Sequence, residues 1–129
     1  MPEIDFPDIL EREAGNLGIN LSLAQLEQFQ RYYYELNEWN SRVNLTSVTE
    51  WKDVQTRHYL DSLTAALVIP EEILGSGRFV DIGSGGGFPG APLLIAFPGM
   101  KGTLIEATGK KTVFLQSLKD SLELEGLEI

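Results

Sequence analysis

Phe79-Val-Asp-Ile-Gly-Ser-Gly-Gly-Gly-Phe-Pro-Gly90 is the stretch that decides the fold of this chain. An apolar strand runs into an acid, Asp81, and then into a glycine-rich turn that opens a helix. Gly83, Gly85 and Gly87 alternate after that acid, which lets a backbone turn tightly and approach a ligand closely. Packing alone is not expected to require so many glycines. The next apolar stretch, Thr103-Leu-Ile-Glu106, ends in a carboxylate 23 residues after Gly83. This is close to the spacing at which a second strand's acid meets a ribose hydroxyl in nucleotide-binding α/β folds. Loop and Glu106 together predict half of an adenosine site.

Two cofactor classes fit the loop. Gly85-Gly-Gly87-Phe-Pro-Gly90 satisfies the dinucleotide pattern G-x-G-x-x-G, in which a pyrophosphate rests on a helix N-terminus. Pro89 weakens that fit by removing a backbone N–H where phosphate needs donors. The alternative frame, Asp81-x-Gly83-x-Gly85-x-Gly87, suits S-adenosylmethionine, whose sulfonium is cationic and needs no phosphate cradle. A carboxylate at the strand end then has an electrostatic purpose.

Composition bounds the rest. With 129 residues and 43% hydrophobic content, the chain makes one globular domain at most, with enough apolar material for a core. No apolar run approaches the ~18 residues that span a bilayer, and Met1 to Asn20 lacks the pattern of a secretory leader, so a cytoplasmic location is expected. There is no cysteine and only one histidine, so no metal site is expected. The net charge of −9 argues against nucleic-acid binding through a broad basic surface. The excess is uneven, because residues 1–40 hold eight acidic and two basic side chains. A local basic face remains available around Arg42, Arg57, Lys101, Lys110 and Lys111.

The order of elements predicts an α/β chain: a helical segment over 1–70 packing on the first part of a Rossmann-like sheet over 71–129. Asp5, Pro7 and Asp8 start a helix with Ile9, Leu10, Ala14 and Leu17 on one face, ended by Gly15 to Gly18. Ser22 with Gln25 forms a capping box ahead of Leu26, Phe29, Tyr33 and Leu36, the stripe of a second helix through about Trp39. In the run Tyr32 to Tyr34, this spacing buries Tyr33 and leaves its neighbours as amphipathic surface. A second capping box, Ser47 with Glu50, predicts a third helix to about Val68, with Trp51, Val54, Leu60, Leu63 and Leu67 inward. Strand, glycine loop, helix (about 91–97), strand (103–106) and helix (about 111–123) follow, with Gly126 as the stop. Leu127 to Ile129 begins a third strand, at which the sheet is expected to be truncated, leaving an open edge on its first strand. The chain thus reads as the front of a longer protein.

Arg57-His-Tyr-Leu-Asp61-Ser62 is a second constellation. On an α-helix Arg57 meets Asp61 at i,i+4, and His58 meets Asp61 and Ser62 at i,i+3 and i,i+4. A Ser-His-Asp nucleophile is rejected, since one helix offers neither a nucleophile elbow nor an oxyanion hole. What remains is either a salt bridge tying the helical segment to the sheet or a ligand-facing role. Gly109-Lys-Lys-Thr112 is no P-loop: Leu104 stands at the position of the first glycine, and Lys111 replaces the hydroxyl residue.

With these residues in view, the chain resembles the ribosomal RNA small subunit methyltransferase G family, also called glucose-inhibited division protein B. The resemblance rests on five stretches in order: Trp39 to Thr46 (WNSRVNLT), Arg57 to Leu63 (RHYLDSL), Val80 to Gly90, Leu104 to Thr108 and Lys110 to Leu115. It implies a class I S-adenosylmethionine-dependent enzyme that methylates guanine N7 in bacterial 16S rRNA or the small ribosomal subunit, with no metal and no membrane partner, and monomeric when complete. It places cofactor contacts on Gly83, Phe88, Glu106, Ala107 and Thr108, beside Asp81, Gly85 and Gly87 of the loop frame. Asn44, Arg57, His58 and Asp61 fall on family positions near the cofactor face, as substrate-facing or site-shaping candidates. The family continues through further strands, with an acid after the third and a Ser-Arg-Ala segment near the methyl donor. This sequence has neither, so turnover by the 129-residue chain alone is not expected.

Overall fold

The computed structural model describes residues 4–129. Its first helix, α1 (Asp8–Asn16), buries Leu10 and Ala14. Pro7 offers no side-chain cap, and the deficit is met from a distance: the buried Gln55 accepts the Leu10 N–H through Oε1 at 3.1 Å. The helix ends in a Schellman turn, Ile19 N–H to Ala14 O at 2.9 Å, with Gly18 at φ +85°. α2 (Leu23–Asn40) opens on the expected capping box, both halves of which form between Ser22 and Gln25. Gln25 also donates to the carbonyls of Ile95 and Ala96, which anchors that end of the helix.

Two expectations for the helical segment fail. Tyr32, expected on the surface, is fully buried with Leu26, Phe29, Tyr33 and Leu36. Ser47 and Glu50 form no capping box, and Glu50 precedes α3 (Trp51–Asp53) without a side-chain hydrogen bond. The Thr46 hydroxyl takes the Val48 N–H instead. The helical run then widens into a π-helix, Val54–Leu60, before α4 (Asp61–Thr64) and a 3-10 turn, Ala65–Val68. A π turn takes an extra residue, so the buried stripe steps five positions from Val54 to Tyr59 and then four to Leu63. That step brings Tyr59 into the core and leaves Leu60 half-buried and Leu67 exposed. Tyr59 packs on Phe29, Tyr32 and Trp51 and donates its hydroxyl to Phe29 O at 2.9 Å. A short α5 (Glu71–Ser76), absent from the expected order, precedes the sheet.

β1 (Arg78–Ile82), α6 (Gly90–Ala96), β2 (Lys101–Ile105), α7 (Gly109–Leu122) and β3 (Leu127–Glu128) complete the chain. The sheet is parallel in the order β1-β2-β3, with Asp81 beside Leu104 and Ile82 beside Ile105. Leu104 and Leu127 face the core, whereas Val80, Ile82 and Ile105 stand on the open face. One hydrophobic core joins Leu10, Phe29 and Tyr59 to Ile95, Leu104 and Phe114. This is the mixed α/β architecture the sequence predicts.

α7 ends about where expected, but on a different residue. Its cap is Glu123 at φ +56°, with Leu124 N–H bonded to Lys119 O at 3.0 Å, and Gly126 plays no part in it. A non-glycine residue there costs about 1 kcal/mol. Glu123→Gly is therefore expected to raise stability by roughly that amount, read as a higher urea midpoint at unchanged slope; an unchanged or lowered midpoint would refute the strain.

Candidate functional site

The glycine loop joins β1 to α6 and is held at three points. At its entrance the Gly83 N–H extends the parallel ladder to Ile105 O at 2.8 Å. In the middle, Gly85 N–H donates to Glu106 Oε2 at 3.0 Å. At its exit, Gly90 N–H donates to Asp81 Oδ2 at 3.0 Å, while the Ser84 hydroxyl donates to Asp81 O. The structure thus brings Asp81, the loop and Glu106 together. Ala107 and Thr108 follow on the exposed turn, where Thr108 N–H donates to Glu106 Oε1 at 3.3 Å.

The glycines divide by purpose. Gly83 and Gly85 adopt φ of +74° and +56°, and a Cβ on either would meet no atom within 4 Å. They shape an open cradle. At Gly87, φ is +95° and a Cβ would lie 2.6 Å from the Tyr32 hydroxyl; at Gly90 it would lie 2.8 Å from Leu104 and 3.0 Å from the Asp81 carboxylate. These two are glycines because packing demands it, which corrects the expectation that packing needs few glycines here.

Tyr32 is the residue that sequence reasoning missed. Its buried hydroxyl donates to Gly86 O at 2.6 Å, and its ring stacks parallel to Phe88 at 5.4 Å. His58 stacks on Phe88 at 4.3 Å and 11°, so Phe88 is flanked by aromatic rings from α2 and the π-helix. The Phe88-Pro89 peptide is cis. His58 Nε2 lies 2.6 Å from the Thr46 hydroxyl. The backbone of residues 45–46 is itself held by Asn40, whose Oδ1 accepts from Leu45 N and Thr46 N and whose Nδ2 donates to Thr46 O. Asn40 was the other missed residue; its signals were its place at the helix end before a polar break and its position inside the stretch Trp39 to Thr46.

Of the two readings of this constellation, the Arg57–Asp61 ion pair does not form. The π turn removes the i,i+4 register; among the described residues the one ion pair is Arg12–Glu13 at 3.4 Å. Arg57, Asn44 and Asp61 are exposed, and Asp61 lines a shallow depression with Ser62, Thr64, Ala65, Phe88 and Pro89. No group of three or more metal-ligating side chains converges among the described residues. Nor is any helix there long and apolar enough to cross a membrane.

The electrostatics follow from these contacts. Burial raises the Asp81 carboxyl, against the lowering effect of the Gly90 and Ser84 hydrogen bonds. The Gly85 N–H lowers Glu106; desolvation opposes it, and Thr108, Lys111 and Ala107 add to the lowering. Burial lowers His58, with Asp61 pulling the other way, so the imidazole is neutral at pH 7. The helix start that would hold a pyrophosphate already has its Gly90 N–H bound to an acid, so a phosphate would compete with Asp81.

Two outcomes test this geometry. Gly83→Ala is expected to cost only the backbone term, about 1–2 kcal/mol, whereas Gly87→Ala adds a clash with Tyr32 and should cost more than twice as much in chemical denaturation; equal costs would overturn the division of the glycines. Glu106 sits below its unfolded value near 4.5, so its stabilising contribution is present above that pH and is lost as pH falls through the folded value. Glu106→Gln should therefore flatten the acid limb of stability against pH, and a parallel limb would show that the Gly85 contact contributes nothing.

A family model described as rRNA small subunit methyltransferase G matches residues 25–129. The chain is similar to proteins named Ribosomal RNA small subunit methyltransferase G from several bacteria. It is 50% identical over 113 residues to that of Dehalococcoides mccartyi strain BAV1, covering 88% of this chain and 47% of the relative. It is 47% identical over 122 residues to that of Roseiflexus castenholzii, covering 95% and 51%. The Bacillus velezensis protein is 47% identical over 108 residues, covering 84% and 44%. The chain spans about half the length of the curated relatives it matches.

Proposed function

The chain belongs to the rRNA small subunit methyltransferase G family, and on that premise we propose that it forms the cofactor-binding part of an S-adenosylmethionine-dependent methyltransferase. Its acceptor is guanine N7 of 16S rRNA, free or in the small subunit, and it works as a cytoplasmic monomer. In this proposal residues 1–70 are a helical segment packed on the first half of the cofactor domain, 71–129.

One observation carries the cofactor class. Asp81 holds the Gly90 N–H at 3.0 Å at the start of α6, so the loop presents a carboxylate where a dinucleotide site needs donors for phosphate. The cradle at Gly83 and Gly85, open to a ligand and faced by Glu106, fits a nucleoside with a cationic tail. Glu106 accepts from the ribose hydroxyls with the lone pairs left over from Gly85 and Thr108. Ala107 and Thr108 line the turn beyond it. Phe88, fixed between His58 and Tyr32, sets the wall of the loop, and Asn44, Arg57 and Asp61 lie on the outer surface toward substrate.

When bound, S-adenosylmethionine supplies an electrophilic methyl group. Guanine N7 offers a free lone pair on its Hoogsteen edge, so this acceptor requires no deprotonation. The work left to the protein is alignment of acceptor and donor and exclusion of water. A rigid loop held by Asp81, Glu106 and Tyr32 serves that purpose, and the neutral His58 acts by fixing Phe88.

Isothermal titration of the chain with S-adenosylhomocysteine, beside a NAD control, tests the reading. Saturable binding that NAD does not displace is expected, and NAD binding more tightly would overturn it. Glu106→Ala should weaken that binding by about 1–3 kcal/mol through lost charge-assisted hydrogen bonds. Unchanged affinity in that variant would remove Glu106 from the ribose.

A further inference from the structure

α2 and α7 run antiparallel, and their contacts form a regular ladder. Gln28 donates to Leu122 O at 2.9 Å, Arg31 to Ser121 O at 3.2 Å, and Ser117 to Glu35 Oε2 at 3.1 Å. Trp39 then meets Phe114 edge-on at 6.1 Å. As the ladder climbs α2 it descends α7, so its next rung sets the end of α2 beside the first turn of α7. By that order Arg42, just past the end of α2 and stacked on Trp39, lies toward the end of α7 that carries Lys110 and Lys111, four and three residues before Phe114.

Arg42 is exposed, and its guanidinium carbon lies 4.5 Å from the Trp39 ring centre. Lys110 is exposed, Lys111 is half-buried, and the first turn of α7 contains no acid. The acids nearby are largely engaged: Glu35 takes the Ser117 hydroxyl, and Glu106 takes the Gly85 and Thr108 N–H groups. Glu38, exposed one turn before Arg42, is the free one. On a chain of net charge −9, three cations on the adjoining ends of two packed helices are a local exception. The other basic group, Arg78, Lys101 and Lys119, lies around the open side of the sheet together with Glu125 and Glu128.

We propose that Arg42, stacked on Trp39, and Lys110 and Lys111 form a docking surface for single-stranded RNA beside the cofactor loop. The inference rests on the methyltransferase reading above and assigns to that site the direction from which its substrate arrives. A planar guanidinium resting on an indole offers a flat face to a base and donors to a phosphate, which a lone lysine does not. The lysines lie four and five residues after Glu106 in the chain, so RNA held here runs past Glu106 toward the loop.

Fluorescence anisotropy of the full chain with a labelled single-stranded RNA oligonucleotide tests it, with circular dichroism melts to show that each variant folds. Arg42→Gln/Lys110→Gln should weaken binding at least tenfold at low salt and lower the slope of log K against log salt by about 1 to 1.5, at roughly 0.7 per phosphate contact. Lys101→Gln should change neither. Arg42→Lys, which keeps the charge and loses the flat face, should lose part of the affinity. No RNA binding, equal losses in Lys101→Gln, or equally strong competition by polyglutamate would each overturn the proposal. Titration of the double variant with S-adenosylhomocysteine separates the two claims. Cofactor affinity retained with RNA affinity lost supports the surface, RNA affinity retained in that variant overturns it, and absence of cofactor binding in the parent chain overturns the cofactor reading alone.

Discussion

The buried hydrogen bond from the Tyr32 hydroxyl to Gly86 O is the constraint on which the loop depends. Burial, with a further contribution from the Asp81 charge, raises the phenol well above its ordinary range, so the group remains a donor. Its 2.6 Å reach leaves no room for a side chain at Gly87. The same ring supports Phe88, which in turn supports His58. A hydroxyl on α2 thus sets the glycine loop, the aromatic stack and, through His58 and Thr46, the segment that follows α2. The helical segment is part of the site's framework rather than an appendage to the sheet.

Two carboxylates share the loop and respond to it in opposite directions. Asp81 is drawn into the structure, and the cost of its burial outweighs the Gly90 and Ser84 hydrogen bonds, which raises its proton affinity. For Glu106 the Gly85 N–H, with Thr108 and Lys111 behind it, outweighs the cost of desolvation and lowers its own. One acid fixes the loop's exit and the other its middle. The open cradle between them therefore has a set shape without relying on a ligand, as preorganised binding requires.

Local signals were legible in the sequence and distant ones were not. The Ser22–Gln25 box forms as expected because its partners are three residues apart and nothing competes for them. Ser47–Glu50 has the same spacing, but the turn ahead of α3 is shaped by Thr46, whose hydroxyl accepts the Val48 N–H and bonds to His58 from across the fold, and the helix starts only after Glu50. The strand, glycine turn and following acid were legible because a parallel sheet next to a tight turn imposes them residue by residue. The π turn at Val54–Leu60 was hidden, because a stripe spaced for an α-helix can be drawn through the same residues by passing over Tyr59. The burial of Tyr32 depends on Gly86, 54 positions away, and no periodicity within α2 encodes that partner. Gly126 looked like a helix stop, yet its N-terminal neighbours end α7, while its carbonyl serves the sheet by accepting the Gly102 N–H.

α2 is the element through which these contacts communicate. Its first turn is tied by Gln25 to the end of α6, its middle by Tyr32 to the glycine loop, and its last turns by Trp39 to α7. α6 and α7 are the helices that follow the first and second strands, so one rod is tied to both crossovers and to the loop that opens the first. The distance between the glycine loop, which opens α6, and Glu106, which precedes α7, is set by those ties as well as by the sheet register. A displacement of α2 would therefore act on both sides of the cradle at once. This accounts for why the residues that determine the loop's shape lie so far from it in sequence.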